Sequence, residues 1–410
     1  MWGAEAMERK KEIPLTQRVR ALSSESAFSV LAAANRLEAQ GRKIVHFEIG
    51  EPKFPTPRNI VERAEQALEE GYTTYCNAQG LPALREAIAE QAKSRQIDAK
   101  PEEIVVTPGG KPIIYYTVAA LVGPGDEVIC PDPGFPVYAS VVRYAGGVPV
   151  PIRLREKNRF RLDVEELKRS ITPRTRLLIL NSPSNPTGSL LTGRDLEAIA
   201  GALTGTDIFV LSDEIYNRIV YGGEAPSIAA LPGMKERTVV LDGFSKTYAM
   251  TGWRLGYGIM PAPLAEAVTR HVVNSVSCTT HFVQVAGVEA LKGPQDSVRE
   301  MVKEFRRRRD VIVEGLNAIP GVTCLPPDGA FYAFPNIRGT GIGSAEAARR
   351  LLEEAGVAVL DGASFGAGGD GYLRLSYAAS MEDIREGLSR MDAFFRCLRR
   401  NSGRKTATSI

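Results

Sequence analysis

Ser245 and Lys246 close the run Val239-Val240-Leu241-Asp242-Gly243-Phe244-Ser245-Lys246, and Arg254 comes eight residues after the lysine. An apolar run broken at Asp-Gly reads as a short buried strand ending in a turn. A lysine at the end of such a strand is partly desolvated. That lowers its pKa and makes its neutral amine a usable nucleophile toward a carbonyl. Arg254 is placed to hold an anion beside it. A lysine and an arginine flanking a surface loop would look the same in isolation, so the rest of the chain has to decide.

Four more strand ends carry residues suited to chemistry. Apolar runs over 104–106, 128–130, 148–152, 177–180, 208–211, 239–241 and 255–259 alternate with helical stretches. This alternation predicts an α/β fold with a mostly parallel sheet and helices on both faces. Ligands of such sheets bind outside the carboxyl ends of the strands. The strand at 104–106 leads into Gly109-Gly110-Lys111 at a helix start, where bare N–H groups and the helix dipole favour an anion. The strand at 128–130 leads through Pro131-Asp132-Pro133-Gly134 to Phe135, an exposed aromatic able to stack on a planar ring. The strand at 177–180 leads into Asn181-Ser182-Pro183-Ser184-Asn185-Pro186-Thr187-Gly188, a loop stiffened by prolines that aims Asn185. The strand at 208–211 leads into Ser212-Asp213-Glu214-Ile215-Tyr216, and an acid there needs a cationic partner. Read singly, the first two are as well explained by a turn and by core packing.

The 410 residues suffice for two domains, and 44% hydrophobic with 24% charged is ordinary globular composition. A net charge of +3 argues against nucleic acid or membrane as a general partner. No apolar run approaches the roughly 18 residues of a membrane span. The five cysteines and three histidines are scattered without metal-ligand spacing or a disulfide framework, which predicts a cytoplasmic protein with no structural metal. Near residue 290 the pattern changes. A charged helix over 301–316 carries Arg306-Arg307-Arg308-Arg309, read as a solvated face rather than a nucleic-acid surface. Strand-like runs at 322–324, 330–334, 357–360 and 372–376 then predict a smaller α+β domain. The expected division is 14–50 as an N-terminal segment packing with that small domain, 51–295 as the large domain and 296–398 as the small one. A helix is expected over 16–41, and residues 1–13 and 399–410 are expected to be flexible.

Pyridoxal phosphate asks for the whole set: an amine for its aldehyde, an acid for its ring nitrogen, an aromatic on its face, donors for its phenolic oxygen and a phosphate cradle. The motifs Asn185-Pro186-Thr187-Gly188, Ser212-Asp213-Glu214-Ile215-Tyr216, and Ser245-Lys246 through Gly252-Trp253-Arg254-Leu255-Gly256-Tyr257 resemble those of the class I/II aminotransferases, the fold-type-I family typified by aspartate aminotransferase. The resemblance spans about residues 14–398. It implies that Lys246 joins the cofactor as a Schiff base and then moves protons, and that Asp213 pairs with the ring nitrogen. Asn185 and Tyr216 meet the phenolic oxygen and Phe135 stacks on the ring. Gly109, Gly110, Ser245 and Arg254 hold the phosphate, with Lys111 beside them. Tyr75, in Tyr72-Thr73-Thr74-Tyr75, matches a tyrosine that reaches the phosphate across a homodimer interface. Arg374 matches the fork that binds the substrate α-carboxylate, and Gly50 the glycine whose backbone touches that carboxylate. The implied reaction passes an amino group from an L-amino acid to a 2-oxo acid, with glutamate and 2-oxoglutarate expected as one pair.

The chain departs from the family pattern at two places. Lys53 replaces the aspartate of the usual Gly-Glu-Pro-Asp-Phe. Glu25 lies where bacterial aspartate aminotransferases carry small hydroxyl residues that help hold a distal carboxylate, and it would repel one. Lys111 matches a lysine that attracts one. Glu25 pairing with Lys111, or meeting a basic or neutral substrate, would each reconcile the two. Two other function classes stay open: another reaction of the same cofactor (β-elimination, decarboxylation or oxidation), and a non-enzymatic ligand sensor. The sensor is disfavoured because only about a dozen residues precede the family match.

Overall fold

A computed structural model describes residues 13–23 and 25–407, with side chains to residue 400. The expected leader at 1–12 and the last three residues lie outside the described residues. The strands are β1 (Val45–His46), β2 (Ile104–Thr107), β3 (Glu127–Asp132), β4 (Val148–Arg153), β5 (Thr175–Asn181), β6 (Phe209–Asp213), β7 (Thr238–Gly243), β8 (Gly256–Ile259), β9 (Tyr332–Ala333), β10 (Val357–Ala358), β11 (Leu360–Asp361) and β12 (Leu373–Ser376). Seven form one sheet in the order β2-β8-β7-β6-β5-β3-β4. Strands β3 to β7 pair in parallel, and β8 runs antiparallel to both of its neighbours.

Burial on both faces explains the continuous apolar strands. Alternate residues point to opposite sides. Val105, Leu177, Leu211 and Val239 pack with Ile113, Val142 and Val268 of the helices. Val106 and Val240 pack with Leu84, Ile88 and Ala286, and Ile129, Leu178 and Val210 with Leu196 and Ile199. The antiparallel course of β8 results from its connection. The link 244–255 holds only a single helical turn, Phe244–Thr247, and is too short for a helical crossover to a parallel neighbour.

The smaller body is built around β9, β11 and β12, paired antiparallel, and around β10, which pairs in parallel with β1 from the start of the chain. Phe47 shares a buried cluster with Phe305, Phe331, Leu375 and Phe395. Several expected runs are shorter than their apolar patterns. The run at 322–324 forms only a lone bridge, Thr323 to Asn336. The run at 357–360 splits into β10 and β11 because the two halves pair with different partners. The helix expected over 16–41 is broken into Gln17–Arg20 and Ser26–Glu38. Between them the backbone N–H of Ser23 donates to Ser140 Oγ at 2.9 Å, which fastens the break to the large body.

The arginine run is not a uniformly solvated face. In helix Asp296–Asn317, Arg308 falls one turn after Phe305 on the inward stripe and is only 8% exposed. It donates to Glu304 at 2.9 Å and to Ala378 O at 3.0 Å. The last helix runs Met381–Ala407, beyond the point at which a flexible tail was expected.

Glycines let two elements meet at the sheet's edge of action. Gly243 of β7 and Thr107 of β2 both register with Gly256 of β8. A Cβ on Gly256 would stand 2.5 Å from Gly109 C and 2.6 Å from Gly110 N. Both obstacles are backbone, so nothing can swing aside. Gly256→Ala should therefore cost about 1–3 kcal/mol of stability, measured as a lower midpoint in denaturant at an unchanged slope.

Candidate active site

Lys246 lies on the single turn Phe244–Thr247 directly after β7. Its Nζ donates to Gly50 O at 2.7 Å. Desolvation brings the amine down from 10.5 to about 8, Arg254, Lys111 and Arg374 push the same way, and Glu51 opposes them. Asp213, the last residue of β6, is buried. It accepts from Tyr138 Oη at 2.6 Å and from the Ile215 N–H at 3.2 Å. Burial pushes its carboxyl up to about 6 even so. The amine and the acid thus share one cavity with no ion pair between them.

That cavity measures about 560 Å³, and its walls include Gly50, Gly110, Lys111, Phe135, Asn181, Asn185, Asp213, Tyr216, Ser245, Lys246, Arg254, Tyr332 and Arg374. Asn185 is fixed by its backbone N–H, which donates to Asn181 Oδ1 at 2.8 Å. Its own Oδ1 is buried without a partner. Tyr216 Oη and Tyr332 Oη lie 2.7 Å apart. Arg374 is buried between the rings of Tyr332 and Phe365, at 4.8 and 5.4 Å. Its Nη2 donates to Glu48 O at 2.7 Å, and its Nε is buried without a partner. Orphaned buried polar atoms cost free energy unless a bound group completes them.

The anion cradle differs in detail from expectation. Gly110 borders the cavity at the start of helix Lys111–Leu121. The Gly109 N–H is already engaged, donating to Thr107 O at 2.7 Å. Gly109 contributes room instead: its φ is +87°, and a Cβ there would stand 2.2 Å from Arg254 Nη2. Arg254 itself holds φ +56°, which is costly for a side chain of this size. Its Nη1 donates to Thr251 O at 2.7 Å.

Phe135 is half-buried rather than exposed, edge-on to Tyr138 at 5.6 Å between ring centres. Lys111 pairs with Glu25. Tyr75 is 85% exposed and lies off the cavity of its own chain. Glycine is required at position 50 by more than a backbone contact, since a Cβ would stand 2.1 Å from Tyr332 Oη. Sequence reasoning missed Tyr138, Asn181 and Tyr332. Tyr138 sits one helical turn after Phe135, so its spacing was a usable signal. Tyr332 meets Gly50 and Tyr216 only through the tertiary fold.

The family model for aminotransferase class I and II matches residues 42–391. The aspartate aminotransferase of Pyrococcus abyssi is 44% identical over 364 residues, covering 87% of this chain and 93% of that protein. The aromatic-amino-acid aminotransferase 2 of Thermococcus litoralis is 43% identical over 360 residues, covering 86% and 92%. Among solved structures, the aspartate aminotransferase of Rhizobium meliloti superposes with a TM-score of 0.90 at 35% identity, over 94% of this chain and 99% of that one.

A buried amine titrating near 8 has a direct signature. Below that pH the ammonium dominates and is unreactive; above it the free amine does. In the chain freed of any cofactor, labelling of Lys246 by a small acylating reagent should rise with pH through a midpoint near 8. Surface lysines should rise only near about 10.4. Peptide mass spectrometry reads both at once.

Proposed function

The chain belongs to the class I and II aminotransferases, a family of pyridoxal-phosphate-dependent transaminases, and from that premise we propose how its own residues divide the work. The observation that carries the reading is the convergence of Lys246, Asp213, Arg254 and Arg374 on one cavity, together with two buried atoms, Asn185 Oδ1 and Arg374 Nε, that await partners.

Pyridoxal phosphate, when bound, supplies an aldehyde for the substrate amine and a ring that takes up the electron pair left when the α-proton departs. Lys246, Asp213, Asn185 and Tyr216 fit its reactive end. Gly110, Ser245 and Arg254 fit its phosphate, with Gly109 making room. Phe135 fits the face of its ring. Lys246 Nζ would hold the cofactor, then accept the proton from the substrate α carbon and deliver it to the carbon that had been the cofactor's aldehyde, a role suited to an amine near neutrality. Asp213, ionised once it faces a cation, keeps the ring nitrogen protonated. Tyr138 Oη steadies that carboxylate by donating to it. Arg374 clasps the substrate α-carboxylate with Nη and Nε together, while Gly50 contributes its backbone.

Tyr75 is directed outward and reaches the phosphate site of a second copy, so the working unit is a homodimer with shared sites. Cys76, Cys130, Cys278 and Cys324 are free thiols, in keeping with a reducing cytoplasm. No helix among the described residues is long and apolar enough to cross a membrane. Glutamate and 2-oxoglutarate form one half-reaction pair.

Incubation of each amino acid with 2-oxoglutarate, with the keto acid and glutamate quantified, should show the two products in equal amounts. Keto acid without glutamate would replace transfer by elimination or oxidation, and silence toward glutamate, aspartate and alanine would defeat the assigned pair. Lys246→Ala should lower turnover by about 10⁴-fold or more and abolish the visible absorbance of the bound cofactor. Arg374→Lys keeps the charge but loses the fork. It should reduce kcat/KM by roughly 10²-fold while leaving cofactor absorbance in place.

A further inference from the structure

Relatives of nearly equal identity are named for aspartate and for aromatic amino acids, so the choice of substrate side chain rests with the cavity wall. The charged residues on that wall are Glu25, Glu51, Lys111, Asp213, Lys246, Arg254 and Arg374. The proposed function uses Asp213, Lys246, Arg254 and Arg374. Glu51 accepts from Thr251 Oγ1. The remaining cation, Lys111, is held by Glu25 and stands 5.6 Å above the centre of the Phe135 ring. Among the described wall residues no cation is left for a second carboxylate on a substrate. Phe28, Ile114 and Leu360 line the same space, and Phe28 is 62% exposed there.

Glu25 reaches this position through the break in the N-terminal helix. It is the N-cap residue of Ser26–Glu38, in extended backbone with no capping bond of its own. Its side chain is therefore available to Lys111 rather than tied to the helix end. The pair is partly exposed, at 49% for Lys111 and 22% for Glu25. Pairs of that kind are weak enough for a competing carboxylate to open.

We infer that Glu25 is a substrate-specificity residue: its carboxylate occupies Lys111 in place of a distal substrate carboxylate. The wall then favours amino donors with uncharged, apolar or aromatic side chains, and dicarboxylic substrates bind by displacing Glu25. This rests on the transaminase reading above.

The test compares single half-reactions of the holoenzyme with aspartate and with phenylalanine, tracked by cofactor absorbance. In Glu25→Gln the aspartate-to-phenylalanine ratio of rate over dissociation constant should rise by about tenfold. Lys111→Met should move the ratio the other way, and Glu25→Gln should add nothing in its presence. A ratio that shifts less than twofold in Glu25→Gln overturns the proposal. Independence of Glu25→Gln from Lys111→Met would also overturn it. The two readings fail separately. Wild-type holoenzyme that responds to no amino acid of the full set defeats the transaminase assignment, whereas a responsive wild type with an unmoved ratio defeats only the role of Glu25. A general packing defect would depress both substrates together and leave the ratio alone.

Discussion

Desolvation without pairing is the constraint on which the site depends. A buried lysine and a buried aspartate placed in contact would form a salt bridge and be useless to a ligand. Here Asp213 is met by a phenol and an amide N–H, and Lys246 by a carbonyl oxygen. Each group is kept from the charge that would satisfy it. Burial therefore moves both toward neutrality, the acid up to about 6 and the amine down to about 8. The cost of holding them apart falls on folding. It is offset by the three apolar clusters packed on the two faces of the sheet, and a bound ligand returns part of it.

The sheet explains how that separation is held. Asp213 ends β6 in register with Leu241 of the adjacent parallel β7, and Lys246 follows β7 on the turn Phe244–Thr247, so the β6–β7 ladder holds both at one edge of the sheet. The next strand turns back. The reversal at β8 brings Arg254 onto the same edge as Lys246, over the loop that carries Gly109 and Gly110. Anion cradle and amine thus share one rigid support, which is what a cofactor anchored at both ends requires.

Much of this was legible in the chain. The strand ends could be found because parallel strands buried on both faces are written as unbroken apolar runs, and because Gly, Pro and Asn punctuate the loops at their carboxyl ends. Contacts between segments far apart were not legible. Nothing local to Tyr332 announces that its hydroxyl fills the space above Gly50, whereas the pairing of Glu25 with Lys111 was one of two alternatives the sequence left open. The direction of β8 was hidden for a related reason, since apolar patterning records burial and not orientation. Arg308 misled in the opposite way. Within a run of four arginines, only its phase relative to Phe305 separates buried Arg308 from the exposed Arg306 and Arg307.

The pairing of β1 with β10 has a consequence for biosynthesis. It stitches the beginning of the chain to a point near its end, and the bond from Arg374 to the carbonyl of Glu48 spans 326 residues. Closing so long a loop is slow. The large sheet, by contrast, is complete once residue 259 has been made. A nascent polypeptide emerging from the ribosome can assemble its cofactor platform well before it owns the clamp that grips an amino acid, so the reactive centre matures last at its substrate-facing side.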